Sequence, residues 1–458
     1  MLAVKETYQV VDGLKVHVEV LNNPYGFELN QLFQMATRIN KKRSFLFVSK
    51  VLGKHLAVNP KIPLLVGYLL SMRYNEIVFG QKDDRAKEVA KAIQTKRNID
   101  EVLLSLENKQ LNLTAPTTFI GFAETATALG HAVFSSFQEN GRYIHTTREH
   151  VNEVHSVIDF EEEHSHATSH RVYAKDSSFF NDKSDVVLVD DEVTTGKTAI
   201  NIIRTIKNEY PQKESFTVIS ILDWRTPEHR ERYHQLEKEL NITIHVVSLI
   251  DGIVTVTGEP KLKNESTINV SEVSSVVSHI KLQNFTPEMY EIVTSTNVDG
   301  MINNSPYLKA TGRFGLDNEG QKKFSCEFEA LGKKLMEMRK GKKTLIIGTG
   351  EFMYVPMKVA TYMGSDVYLQ STTRSPIYQS DEFGYTIKNK FVFDSPENSG
   401  VTNHLYNIEA EQYDEIFIFV ERVSSLSALD ELINELRKTC VPVIQIVTMN
   451  KIVDEKGV

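Results

Sequence analysis

The sequence predicts an α/β protein built on a parallel sheet, followed by a second and smaller α/β unit. Two observations lead there. Short β-branched runs alternate with helical patterns through the middle of the chain, and the alternation resumes towards its C-terminal end. Between the two series lies a stretch with no clear period, rich in Ser, Thr, Asn and Gly, which is the composition of a connection. Strands that alternate with helices imply parallel pairing with both sheet faces covered.

The first series contains "TTFIGF" (117–122), "RYIHTT" (142–147), "DVVLVD" (185–190), "SFTVISIL" (215–222) and "ITIHVVSLI" (242–250). The first 115 residues read as more helical and carry basic segments such as "NKKRSFLFVSKVLGKH". The second series contains "KTLIIG" (343–348), "DVYLQST" (366–372), "EIFIFV" (415–420) and "VPVIQIV" (441–447). "NVDGMINNSPYLKATGRFG" (297–315) reads as the linker. A boundary near residue 300 gives a first domain of 1–300 and a second of 301–458.

A length of 458 residues suits two domains and leaves room for a third. The net charge of −8 argues against nucleic acid or an acidic membrane face as partner, because both are polyanions. No long uncharged apolar run and no leader-like N-terminus are visible. Cys326 and Cys440 are the only cysteines, too few for a disulfide framework. The chain reads as cytoplasmic.

The chemistry concentrates in "DVVLVDDEVTTGKTAI" (185–200). A buried parallel strand delivers Asp190 and Asp191 to the sheet edge, where ligands of such sheets sit. A helix then opens, and its first amides lack intrahelical partners. With the helix dipole they suit an anion. Gly196 lets the backbone approach closely, and the hydroxyls of Thr194, Thr195 and Thr198 add donors. Adjacent carboxylates accept hydrogen bonds and so suit a vicinal diol. A ribose 5-phosphate satisfies both halves of the loop. Two lookalikes are excluded: "GKT" lacks the earlier glycine of a P-loop, since Asp191 stands there, and "GTGEFM" has Met353 at the third glycine position of a dinucleotide fingerprint.

The stretch "VVLVDDEVTTGKTA" resembles the phosphoribosyl pyrophosphate (PRPP) signature of type I phosphoribosyltransferases, the group that includes orotate phosphoribosyltransferase. The wider chain resembles an orotate-phosphoribosyltransferase-like family linked to tellurite-resistance gene clusters, whose members carry a C-terminal domain named for a T-R-S-P motif; "STTRSP" stands at 371–376. The resemblance implies a parallel-sheet phosphoribosyltransferase fold with a hood, PRPP as co-substrate, Mg2+ as cofactor, and a base-like small-molecule acceptor. It is also compatible with a homodimer. Asp190 and Asp191 would hold the ribose hydroxyls and the magnesium shell. Thr194, Thr195, Gly196, Lys197 and Thr198 would form the phosphate part of a PRPP loop spanning 186–199. Ala123, Glu124 and Thr125 match the pyrophosphate loop, although Glu124 brings negative charge towards a polyanion. Thr194 departs from the purine type, which places an Asp there, so a non-purine acceptor is expected.

A mobile hood loop is expected at 149–183, with Arg148, His166 and Arg171 closing over the pyrophosphate. Seven of the fourteen histidines fall in 131–170, and "EEEHSHATSH" also admits a metal-site reading. "RSFLFVSKVLGKHLAVNP" (43–60) resembles the segment that lies over the acceptor base, which makes Ser49, Lys50, Lys54 and His55 candidate acceptor contacts. The two halves share a strand–Gly–x–x–Glu–helix–strand–T-T-R order, with 27 positions from Gly121 to Arg148 and 26 from Gly348 to Arg374. The second domain therefore reads as a degenerate copy of the first. Its Thr372, Thr373, Arg374 and Ser375 would form a separate anion site. A PRPP-binding sensor without efficient catalysis is the competing functional reading.

Overall fold

A computed structural model describes residues 4–39, 44–161, 169–263, 274–282 and 286–450. The N-terminal hairpin pairs β1 (Val4–Val11) with β2 (Leu14–Asn22) through a turn at Asp12 and Gly13. The alternating "LKVHVEV" and its Asp-Gly turn carry a hairpin signal, so the start of the chain is less helical than expected. A ribbon of Phe33–Thr37 and Phe45–Ser49 comes next, and then α1 (Lys61–Phe79).

The central strands are β3 (Thr117–Gly121), β4 (Gly141–His145), β5 (Asp185–Val189), β6 (Ser215–Asp223) and β7 (Thr243–Gly258). They lie in the order β1-β2-β7-β6-β5-β3-β4, and the run from β7 to β4 is parallel. In β5, Val186, Val187, Leu188 and Val189 are fully buried. That is why this strand reads as an unbroken apolar run rather than an alternation. The helices α2 (Ala126–Ser135), α3 (Lys197–Glu209) and α4 (Pro227–Leu240) connect the strands.

A second sheet contains β8 (Val276–Lys281), β9 (Thr344–Gly348), β10 (Val367–Ser371), β11 (Glu415–Val420) and β12 (Val443–Thr448). Its order is β8-β12-β11-β9-β10, all parallel. The order β12-β11-β9-β10 repeats the order β6-β5-β3-β4 of the first sheet. One apolar core continues from the first sheet into the face of the second that carries Ile346, Phe417 and Phe419. The opposite face packs Leu345, Ile347, Ile416 and Ile418 separately.

The sheets exchange chain near the expected boundary at residue 300. β8 lies before that point and joins the second sheet, whereas Leu316–Asp317 lies after it and pairs with β4. β8 is an edge strand with Val276 exposed, so its sequence shows no sustained apolar pattern. The expected linker is also a packed segment: Tyr307, Leu308, Ala310 and Arg313 are buried.

The expected mobile loop is largely built. Ile158–Glu161 pairs with Ser169–Val172, and Phe160, Val172, Tyr173 and Phe180 are buried. Residues 162–168, which include His164 and His166, lie outside the described residues. No helix among the described residues is long and apolar enough to cross a membrane.

Candidate active site

β5 ends at the sheet edge, and Asp190 and Asp191 follow it directly. The amide of Asp191 donates to Asp190 Oδ1 at 2.9 Å, which turns the chain towards Glu192–Val193 and the start of α3. Gly196 caps α3 with φ 71°, and a Cβ there would meet Tyr233 Oη at 2.6 Å. Only glycine fits this close, left-handed position. The turn that opens α3 lines a cavity of about 730 Å³ through Thr194, Thr195, Gly196 and Thr198, and amides at a helix start lack intrahelical partners. The cavity is lined by Asp190, Asp191, Glu192, Thr194, Thr195, Gly196 and Thr198, and by Ala123, Glu124 and Thr125 from the loop after β3. The peptide between Ala123 and Glu124 is cis.

Glu124 is turned away from the role of a bare carboxylate at an anion site. Its Oε2 lies 2.8 Å from Lys54 Nζ and accepts from Thr373 Oγ1 at 3.1 Å. Burial alone would raise its pKa, but Lys54, Arg148 and Arg374 outweigh that and hold it down to about 2. Three cations thus face one carboxylate. Arg148 is steadied by its Nε donating to His170 Nε2 at 3.3 Å, while the other ring nitrogen of His170 meets Thr146 Oγ1 at 3.2 Å.

The cavity is also lined by Arg38, Leu46, Lys54 and His55, with Arg374, Ser375 and Pro376 from the second domain. His55 is buried, and neither ring nitrogen has a hydrogen-bond partner among the described residues. Burial, with Lys54 and Arg38 nearby, pushes its pKa down to about 3, so the imidazole is neutral at pH 7. A buried neutral ring with two unsatisfied nitrogens offers one donor and one acceptor to a ligand.

A family model described as phosphoribosyl transferase matches residues 32–253, and one described as the TRSP domain C-terminal to it matches 310–436. The chain belongs to this two-domain phosphoribosyltransferase family. Solved structures similar to it include adenine phosphoribosyl transferase from Trypanosoma brucei, at 12% identity over 51% of this chain and 82% of that one, with a TM-score of 0.29. Others are the adenine phosphoribosyltransferases of Saccharomyces cerevisiae (12% identity, 33% and 76% covered, TM-score 0.21) and Rhodothermus marinus (15% identity, 32% and 79% covered, TM-score 0.22). Comparison with curated proteins gives no match.

Within this phosphoribosyltransferase several expected site residues lie elsewhere. Ser49 and Lys50 do not line the cavity: Ser49 Oγ accepts from the amide of Val51, and Lys50 is half-buried with its pKa lowered by burial and by Lys96. They sit at and just after the end of a paired ribbon strand, whereas Lys54 and His55 reach the cavity after the chain turns. Lys197 and Arg171 are also absent from the lining. Arg171 faces Asp159 across the hood ribbon, 3.8 Å away. Thr372, Thr373, Arg374 and Ser375, expected as an anion site of the second domain, are divided between two surroundings. Arg374 and Ser375 line the same cavity as Asp190, while Thr372 Oγ1 accepts from the amide of Gly350.

Sequence reading missed a buried ionic cluster between the domains. Arg313 Nη1 donates to Glu351 Oε2 at 2.6 Å, and its Nη2 lies 3.5 Å from Glu421 Oε2. Arg422 stacks 3.6 Å above the Tyr307 ring and reaches Glu149 Oε2 at 3.2 Å. The signal was Arg313 itself, an arginine in a stretch otherwise read as linker.

Glu397 accepts the amides of Glu421 and Arg422, at 2.6 and 3.0 Å. Burial and the nearby Glu421 raise its pKa from 4.5 to about 8. The native state therefore holds a proton that the unfolded chain releases near pH 4.5. Stability should fall as pH rises from about 4.5 to about 8, by at most about 1.4 kcal/mol per unit, and level off above. Glu397→Gln keeps the acceptor oxygen and should remove this component. Urea unfolding of both proteins across pH 4–9 checks it; identical slopes would contradict the assignment.

Proposed function

We propose that the enzyme transfers 5-phosphoribosyl from PRPP to a nitrogen-bearing, non-purine, base-like acceptor and releases pyrophosphate. One observation supports this most strongly. The acid pair, the helix-start turn, the loop after β3 and the acceptor segment all open on a single cavity. In this reading the ribose hydroxyls donate to Asp190 and Asp191. The 5-phosphate takes the helix-start turn, with the hydroxyls of Thr194, Thr195 and Thr198. The pyrophosphate lies towards Ala123–Thr125, where Lys54, Arg148 and Arg374 exceed the charge of Glu124.

The donor set fits magnesium. Asp190, Asp191 and Glu192 are hard oxygen donors, and magnesium binds through one or two carboxylates plus substrate phosphates. Among the described residues no group of three or more His, Cys, Asp and Glu side chains is placed to hold a metal ion. When bound, the ion would neutralise charge on the departing pyrophosphate.

The bond from the anomeric carbon to pyrophosphate breaks with its electron pair on the leaving oxygen, and a bond from the acceptor nitrogen forms. The protein's share is positioning and electrostatics. The unsatisfied nitrogens of His55 in the lining favour an acceptor-using enzyme over a sensor, since a sensor has no need of an acceptor contact.

The test is pyrophosphate release from PRPP and magnesium across a panel of pyrimidine, pyridine and imidazole acceptors. Release stimulated by one class identifies the acceptor. Calorimetry showing no PRPP binding at all would sink the reading.

A further inference from the structure

The two domains match contact by contact as well as in strand order. The amide of Thr146 donates to Gly121 O at 2.9 Å, and that of Thr372 donates to Gly348 O at 3.0 Å. Ala123 N donates to Thr146 Oγ1 and Gly350 N to Thr372 Oγ1, both at 2.8 Å. Thr147 bridges Arg171 in one hood ribbon, and Thr373 bridges His404 in a second ribbon formed by Lys390–Asp394 and Thr402–Tyr406. The helices that follow β3 and β9, α2 and Tyr354–Ala360, meet, with His131 and Tyr354 stacked 3.5 Å apart.

The carboxylates then cross between domains. Glu124 accepts from Thr373 Oγ1 at 3.1 Å and from the amide of Arg374 at 3.4 Å. Glu351 accepts from Thr147 Oγ1 at 2.7 Å and from the amide of Arg148 at 3.0 Å. A contact that i makes to j, repeated as j to i, is the mark of a two-fold interface. Here both halves belong to one chain.

The symmetry breaks at the strand ends. Gly121 pairs with Val189, and Gly348 pairs with Phe419. Counting on from that register, Val420 stands at the place of Asp190, Glu421 at Asp191, Arg422 at Glu192 and Leu426 at Gly196. The acid pair and the left-handed glycine are gone. Arg313 and Arg422, each 2% exposed, fill the space with ion pairs to Glu351, Glu421 and Glu149. In the first domain the equivalent space is the open cavity, and Arg374 enters it from the second domain.

We propose that the TRSP domain is a non-catalytic partner copy: its own sugar-phosphate site is closed by internal ion pairs, and it serves the first site by supplying Arg374 to the pyrophosphate of PRPP. This rests on the PRPP reading above. Arg374 is assigned to the pyrophosphate end because its amide touches Glu124, in the loop after β3.

The experiment is calorimetric titration of the full chain with two ligands, PRPP and ribose 5-phosphate, each with magnesium. The unmodified chain should bind one PRPP. Arg374→Ala should weaken PRPP about 10- to 100-fold, as expected for a lost charge-assisted bond, and Arg374→Lys should recover part of it. Ribose 5-phosphate, which lacks the pyrophosphate, should bind the folded variant and the unmodified chain alike. Equal PRPP affinity in Arg374→Ala would overturn the proposal, and so would equal weakening of both ligands. Two PRPP per chain would overturn the closed second site. No heat from the unmodified chain with either ligand would remove the PRPP reading and this proposal together.

Discussion

Changing Asp190 and Asp191 together to asparagine should lower PRPP-dependent kcat/KM by a factor of about 10²–10⁴, because two charge-assisted hydrogen bonds are worth about 3–6 kcal/mol. The fold should survive. Both side chains sit beyond the buried strand rather than in it, and an asparagine at 190 still accepts from the amide of residue 191. What is lost is charge: a carboxamide offers one acceptor oxygen and two donors to a diol that needs acceptors. Steady-state kinetics, with circular dichroism as the check on folding, measure this. Turnover within threefold of the unmodified enzyme would show that the acid pair does not hold the sugar.

The largest stability effect is expected at Arg313. Arg313→Met should destabilise the chain by about 3–5 kcal/mol, because removing one member of a buried ion pair leaves the others uncompensated. Glu351 and Glu421 would both lose their nearest cation, and Thr147 Oγ1 would lose a donor at 2.5 Å. The deficit should depend on pH. Burial would raise the pKa of Glu351, but Arg313 and His145 hold it below the usual carboxylate range, so its contribution is present above about pH 4.5 and fades in more acid solution. The gap between variant and unmodified chain should therefore narrow as pH falls below about 4.5. Denaturant unfolding at pH 7.5 and pH 4 checks both points, and a gap that is small at pH 7.5 would show that the cluster is not holding the domains together.

Parts of this architecture were open to reading because they are local. "DVVLVDDEVTTGKTA" announces a buried strand, an acid pair and a helix start in fifteen consecutive residues, and the acid pair and the helix start line one cavity. The repeated T-T-R order foreshadowed the shared strand order for the same reason: spacing along one strand–helix–strand unit is fixed by that unit. The N-terminal hairpin was legible too, in its alternation and its Asp-Gly turn, although a helical reading passed over it. Other features had no local signature. Among the described residues β8 pairs on one side only, with β12, so nothing in its residues demanded one sheet over the other. Arg171 and Arg148 look equivalent in sequence, yet a ribbon register turns one to Asp159, while the other lines the cavity.

The chain's sequence by itself settled the fold class, the transferase signature and the residues at the tip of β5, because each depends on neighbours within a few positions. Only the tertiary structure decided that the T-R-S-P turn lines the same cavity as Asp190 and Asp191. It also decided that Glu124 faces Lys54 and the second domain, and that the second set of strand ends is filled by arginines. Those outcomes depend on pairs such as Glu124 with Thr373 and Arg313 with Glu421, separated by 249 and 108 positions. At that separation, docking of the two sheets rather than any local preference determines which charges meet.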